Sequence, residues 1–244
     1  MKFIFFTDYS TQISNYCLLN VKKYKDISKL DKIMFFIDPS VYELKDSNEY
    51  SNIELLKTLS NAGNLKENEY ISIDYPNDMN PLYSDLFIQK TMLYNRLYAS
   101  NPNYIATLQF KFKDIEDFKL RFEELSQFVD MKSKIIGIGN LCRIMSNCDF
   151  IEKVFDFLYN QILEKSINWI HFYGLSKRVI EVCINKFKDI KNIVISTDST
   201  KWTKRVHKNP PLDKSVCCRK GNRNVYFLEY IKAIEKKTNH KILY

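Results

Sequence analysis

Short runs of β-prone apolar residues, each ending in polar or acidic ones, recur along the chain and alternate with longer segments of helical character. Phe3–Phe6 runs into Thr7 and Asp8, Lys32–Ile37 into Asp38 and Pro39, and Tyr70–Ile73 into Asp74, Tyr75 and Pro76. Tyr104–Phe110 carries Gln109 near its end, Lys134–Asn140 contains Gly137 and Gly139, Asn168–Gly174 holds His171 at mid-run, and Ile193–Thr197 leads to Asp198. Apolar runs of this kind, without polar alternation, read as parallel strands buried on both faces. Between them the pattern predicts a polar helical stretch up to about Leu30, a helix over Ile53–Ala62 stopped by Gly63, and a long helix over Leu82–Ala99. Further helices are predicted from an Asp114 cap to Val129, over Phe150–Lys165, from a Ser176 cap to Phe187, and over Val225–Lys237.

Strand and helix alternating at roughly 30 residues is the signature of βαβ units. Seven strands of this kind predict a TIM-like (β/α)8 barrel with a short or irregular last strand, the alternative being an open doubly wound sheet. Neither GxGxxG after the first strand nor GxxxxGK[ST] anywhere occurs, so the two usual nucleotide-cradling loops are missing. Residues 1–244 read as one barrel domain whose end, 201–244, forms a basic segment.

Charge adds a partner. The chain has 37 Lys and Arg against 29 Asp and Glu, a formal +8, and that excess favours a polyanion, nucleic acid being the commonest. The cations gather behind Asp198: Lys201, Lys204, Arg205, Lys208, Arg219, Lys220 and Arg223. The six cysteines are scattered, no N-terminal signal peptide is visible, and no apolar run reaches the roughly 20 residues of a membrane span. A reduced cytoplasmic location is the expectation.

Chemistry in a barrel sits at the C-terminal strand ends. Asp8, Asp38, Asp74, Gln109, Gly139, Asn140, Gly174 and Asp198 fall there. A carboxylate cluster can hold a metal, cap helices, or divide nucleophile and acid/base work between its members. Histidine ligands are sparse, and mid-strand His171 reads as a packed core residue. Two carboxylates with an amide suit displacement at an anomeric carbon, and an acceptor with nearby donors suits a purine edge.

The ordered motifs FFID (35–38), SID (72–74), TLQ (107–109), IGIGNLCR (136–143), HFYGL (171–175) and STDSTKW (196–202) resemble the tRNA-guanine transglycosylase superfamily. Within it, the segments GIGNLCR and DSTKW look most similar to the phage and bacterial DNA-guanine transglycosylases, which insert 7-deazaguanines into DNA. The resemblance covers roughly residues 1–205. It implies that Asp198 is the nucleophile and Asp38 the general acid/base, and that Asp74, Gln109 and Gly139 read the base. Gly174 joins them in the base pocket, and Tyr75 or Trp202 is a candidate for stacking. It also implies an exchange of guanine for a 7-deazaguanine that needs no cofactor, with DNA as partner and tRNA or a non-catalytic nucleic-acid-binding subunit as alternatives. Two departures stand out. Pro39-Ser40 replace the family's Ser-Gly after the acid/base residue. The zinc motif of the tRNA enzymes is reduced to Cys217-Cys218 with His207 and His240, so no metal is expected.

Overall fold

The computed structural model describes residues 1–8, 13–20, 30–38, 65–75, 84–141, 148–198 and 220–244. Its strands are β1 (Lys2–Asp8), β2 (Tyr16–Asn20), β3 (Met34–Asp38), β4 (Glu69–Ile71), β5 (Ala106–Leu108), β6 (Ile135–Ile138), β7 (Trp169–Phe172), β8 (Val194–Asp198) and β9 (Ile242–Leu243). The helices among the described residues are α1 (Ser84–Leu97), α2 (Ile115–Ser126), α3 (Cys148–Glu164), α4 (Lys177–Phe187) and α5 (Lys220–Thr238). β1 to β8 are all parallel and run β4-β3-β2-β1-β8-β7-β6-β5 across the sheet. The end strands meet at one parallel bridge, Ile71 with Tyr104, where Ile71 N–H donates to Asn103 C=O at 2.9 Å and Ile105 N–H to Ile71 C=O at 2.8 Å. Strand order around the ring therefore follows chain order, as in a TIM-like (β/α)8 barrel, with a thin seam between β4 and β5.

The structure corrects two expectations. The stretch up to Leu30 was predicted helical, yet Tyr16–Asn20 within it is a barrel strand, paired with β1 and β3. A short apolar run between polar neighbours fits either period, and here Cys17 and Leu19 are sealed beneath the outer layer while Tyr16 fills the interior. The ring strand that the sequence pattern did not announce is thus second in the chain. The C-terminus holds β9, which pairs with β1 at Phe3 and Ile4 on the edge that β2 leaves free below Thr7. Ile242 joins the core between barrel and helices, and Leu243 packs at the barrel floor. The helix predicted over Ile53–Ala62, with Gly63, lies outside the described residues.

Neighbouring residues in parallel strands face the same way, so the register sorts the interior into levels. Ile4, Tyr16, Ile105 and Ile135 pack inside the barrel with Phe6 and Phe36. Phe6 and Phe36 stack at 4.0 Å, and His171 stands edge-on to Phe36 at 4.8 Å. Thr107, Gly137, His171, Ser196 and Ile4 share one level, since Thr107 pairs with Gly137, Gly137 with His171, His171 with Ser196 and Ser196 with Ile4. Two residues further along each strand come Gln109, Gly139, Tyr173 and Asp198. Outside, α2 begins where the sequence predicts: the Asp114 carboxylate accepts from Glu116 N–H at 3.1 Å and Asp117 N–H at 2.9 Å. Ser176 stands at the N-cap of α4 but makes no side-chain cap bond.

Candidate functional site

Asp198 closes β8 and is partly buried. Its Oδ1 accepts the Gly174 N–H at 3.0 Å, and His171 Nε2 lies 3.4 Å from the same oxygen. No hydrogen bond reaches Oδ2 from the described residues. Gly174 can aim its N–H this way because it turns the chain at φ 72°, a left-handed conformation that glycine adopts without a Cβ clash. Gly174, assigned from sequence to the base pocket, gives its N–H to Asp198.

Asp74 sits on the neighbouring wall. Its Oδ1 accepts from the Ser72 hydroxyl and its Oδ2 from Gln109 Nε2, both at 2.9 Å. Ser72 Oγ lies 3.0 Å from Thr107 Oγ1, which lies 3.3 Å from the Tyr173 hydroxyl. With Asp74 ionised the hydroxyls point one way, Tyr173 to Thr107 to Ser72 to Asp74. Gln109 Oε1 is buried with no partner among the described residues. A buried carbonyl oxygen left unpaired costs about 1–3 kcal/mol, and a ligand N–H would remove that cost.

Glycine makes the space. The whole chain has 5, and Gly137, Gly139 and Gly174 all lie at this end of the barrel. A Cβ at Gly139 would come within 2.4–2.7 Å of the Gln109 amide atoms, and one at Gly137 within 2.8 Å of Thr107 Oγ1 and 2.9 Å of Tyr173 Cε2. The Gly139 N–H, expected to donate to a base, instead donates to Leu108 C=O at 2.9 Å. Gly139 serves the site through its missing side chain.

Tyr75 does not reach the mouth. Successive strand residues alternate faces, and Asp74 takes the inner one. Tyr75 stacks on Phe87 and Tyr94 of α1 and donates its N–H to Thr91 Oγ1 at 2.9 Å. Asp38 is the last residue of β3, in register with Asn20, and its side chain lies outside the described part of the structure, as does that of Asp8. Trp202, Cys217, Cys218, His207 and the cations Lys201, Lys204, Arg205, Lys208 and Arg219 fall outside the described residues. Lys220 and Arg223 belong to the first turn of α5, without described side chains.

Ser72, Thr107, Tyr173 and Ser196 are site residues that the sequence pattern did not single out. The signal was present: Ser72, Thr107 and Ser196 each precede a named site residue by two positions, which in a strand is the same face one level down.

Asp74 carries a testable electrostatic consequence. Loss of hydration raises its carboxyl above the usual carboxylate range, the bonds from Ser72 and Gln109 pull it back, and the nearby Asp198 charge pushes it up again. The native state then holds this proton more tightly than the unfolded chain. Its contribution is fully present below the unfolded pKa of about 3.9 and is lost as pH rises through the native value. As pH rises through that native value, Asp74 becomes a cost to the fold. Asp74→Asn should flatten the decline of stability above about pH 4 and raise the neutral-pH Tm. Thermal melts across that range check this, and an unchanged slope contradicts it.

No helix among the described residues is long and apolar enough to cross a membrane. No protein-family model, curated protein or solved structure matches the chain.

Proposed function

We propose that the protein is a DNA-guanine transglycosylase, replacing guanine in DNA by a 7-deazaguanine through an aspartyl-glycosyl intermediate. The observation that carries this reading is the pairing of Asp74 with Gln109 on one wall and a carboxylate held by a single oxygen on the other. Each Asp74 oxygen has a lone pair left for the N1–H and N2–H of guanine, while the second Nε2 hydrogen of Gln109 can donate to O6. Asp198 Oδ2 attacks C1′, the C1′–N9 bond breaks, and an ester forms. Guanine leaves with a proton from Asp38, a role given to that residue by the family resemblance. The incoming 7-deazaguanine returns its N9 proton to Asp38, N9 displaces the ester at C1′, and Asp198 is released ionised. One N-glycosidic bond replaces another, so neither ATP nor a redox cofactor takes part. In duplex DNA the base must first leave the stack, at a cost of a few kcal/mol.

Gly139→Ala should push the Gln109 amide off Asp74 without disturbing the ladder, since the Gly139 N–H bond to Leu108 survives. Exchange should fall roughly 10- to 100-fold, the worth of one hydrogen bond to a charged group. Steady-state exchange of labelled guanine measures it, and wild-type kcat/KM would show that Gln109 does not read the base.

The cations between Lys201 and Arg223 supply phosphate contacts on this reading. Lys204→Ala with Arg205→Ala should weaken DNA binding at every sequence and reduce the slope of log K against log salt by roughly 0.7–0.9 per lost contact. Unchanged binding means the DNA docks elsewhere.

A cytoplasmic location, with reduced thiols, fits the thiols of Cys148 and Cys183. Mass spectrometry of nucleosides from DNA and tRNA of cells expressing the protein tests the assignment. A deazaguanine deoxynucleoside in DNA is the expected result. The modified nucleoside in tRNA alone gives the activity to tRNA, and its absence from both refutes base exchange.

A further inference from the structure

We propose that His171 is the positioning residue of Asp198, a neutral imidazole locked as its Nε2–H form by Trp169 and Ser196 and holding Oδ1 so that Oδ2 alone attacks. The choice of attacking oxygen rests on the base-exchange reading; the locked imidazole does not.

Placement of the hydrogens decides the tautomer. Trp169 Nε1–H can only donate, and it donates to Ser196 Oγ at 2.7 Å. Ser196 Oγ is also 2.9 Å from His171 Nδ1, and Ser196 is fully buried. The only acceptor within reach of the Ser196 hydroxyl hydrogen, among the described residues, is that Nδ1. If Nδ1 carried a proton, the hydroxyl hydrogen would be stranded and a bare Nε2 lone pair would face the Asp198 carboxylate. With the proton on Nε2 the donors run in one direction: indole to hydroxyl, hydroxyl to Nδ1, and Nε2–H facing Asp198 Oδ1 at 3.4 Å.

The ring has no freedom to turn. His171 is wholly buried, with Phe6 at 5.6 Å and Phe36 at 4.8 Å edge-on and Tyr173 at 4.6 Å above. The same burial lowers its pKa against the opposing pull of Asp198, which keeps it neutral. Among the described residues, Asp198 and Tyr173 are the titratable groups against it. A neutral donor suits a nucleophilic carboxylate. An imidazolium would hold Asp198 as a full ion pair and blunt its attack, whereas a single N–H orients it. The 3.4 Å separation lacks hydrogen-bond geometry at rest, and such contacts commonly tighten when substrate docks.

The test reads the imidazole directly. The chain has only three histidines, so ¹⁵N-histidine NMR resolves His171. The expected spectrum shows a protonated Nε2 and an unprotonated Nδ1 at neutral pH, and Ser196→Ala should break that purity by removing the donor to Nδ1. A protonated Nδ1, an imidazolium, or a Ser196→Ala spectrum like wild type overturns the proposal. These spectra need no substrate, so they stand apart from the base-exchange reading. On the assay, His171→Phe should lower kcat about 10- to 100-fold with KM little changed, as for one lost hydrogen bond to a charged group. His171→Gln, whose Nε2 can stand near the imidazole Nε2, should recover part of it. Wild-type kcat in His171→Phe refutes the positioning role. Absence of exchange in the wild-type protein removes the base-exchange reading and leaves the locked imidazole to the spectra.

Discussion

Asp198→Asn should abolish exchange and leave the fold intact. Asparagine keeps an oxygen where Gly174 N–H and His171 Nε2 point, so the contacts that hold the residue survive. What disappears is the charge and the nucleophilicity of the second oxygen. Loss of a triad member or nucleophile costs other enzymes roughly 10⁴- to 10⁶-fold, so activity should drop to background. A structural role limited to capping would be worth only about 1 kcal/mol, or about 2–4 °C in Tm at this size. Exchange assays and thermal melts on the same preparation separate the two. Near wild-type exchange contradicts the mechanism, and collapse of the fold makes Asp198 a structural residue.

Phe36→Ala should cost about 3–5 kcal/mol, the range for a buried aromatic that leaves a cavity behind. Phe36 stacks on Phe6 at 4.0 Å, lies edge-on to His171 at 4.8 Å, and also touches Tyr70 and Trp169. Neighbouring side chains cannot readily fill the hole, because they come from different strands fixed around a closed ring. The Tm should fall by about 6–20 °C, and exchange should fall with it because His171 loses its floor. Denaturant unfolding measures the first effect. A loss below about 1 kcal/mol would mean the interior repacks, contrary to the close packing described.

The barrel was legible because parallel strands buried on both faces leave unbroken apolar runs. Seven of the eight ring strands announced themselves this way. Tyr16–Asn20 did not, because its five residues give too little length to separate a strand period from a helical one. β9 was missed for the same reason: Ile242–Leu243 is two residues long, and only its place beside Phe3 and Ile4 makes it a strand. Asp74, Gln109 and Asp198 were legible as polar breaks at strand ends. Their supports were not. Tyr75 follows Asp74 directly in sequence yet faces the helices, while Ser72, two residues back, shares the inner face. His171 was read as core packing, and it is fully buried; what sequence could not show is that β8 brings Ser196 to one of its nitrogens and Asp198 to the other. Gly139 was read for its N–H, when the register had already given that N–H to Leu108.

The most direct test is to catch the ester. Purified protein is incubated with a guanine-containing DNA without incoming base, denatured, digested with trypsin, and its peptides weighed. Cleavage after Lys191 and Lys201 isolates Asn192–Lys201, whose only carboxylate side chain is Asp198. The mechanism predicts this peptide carrying a deoxyribose-linked DNA adduct, with one guanine released per adduct, and none in Asp198→Asn. Guanine exchange without an adduct on Asn192–Lys201, or an adduct on the peptide that contains Asp38 instead, would contradict it.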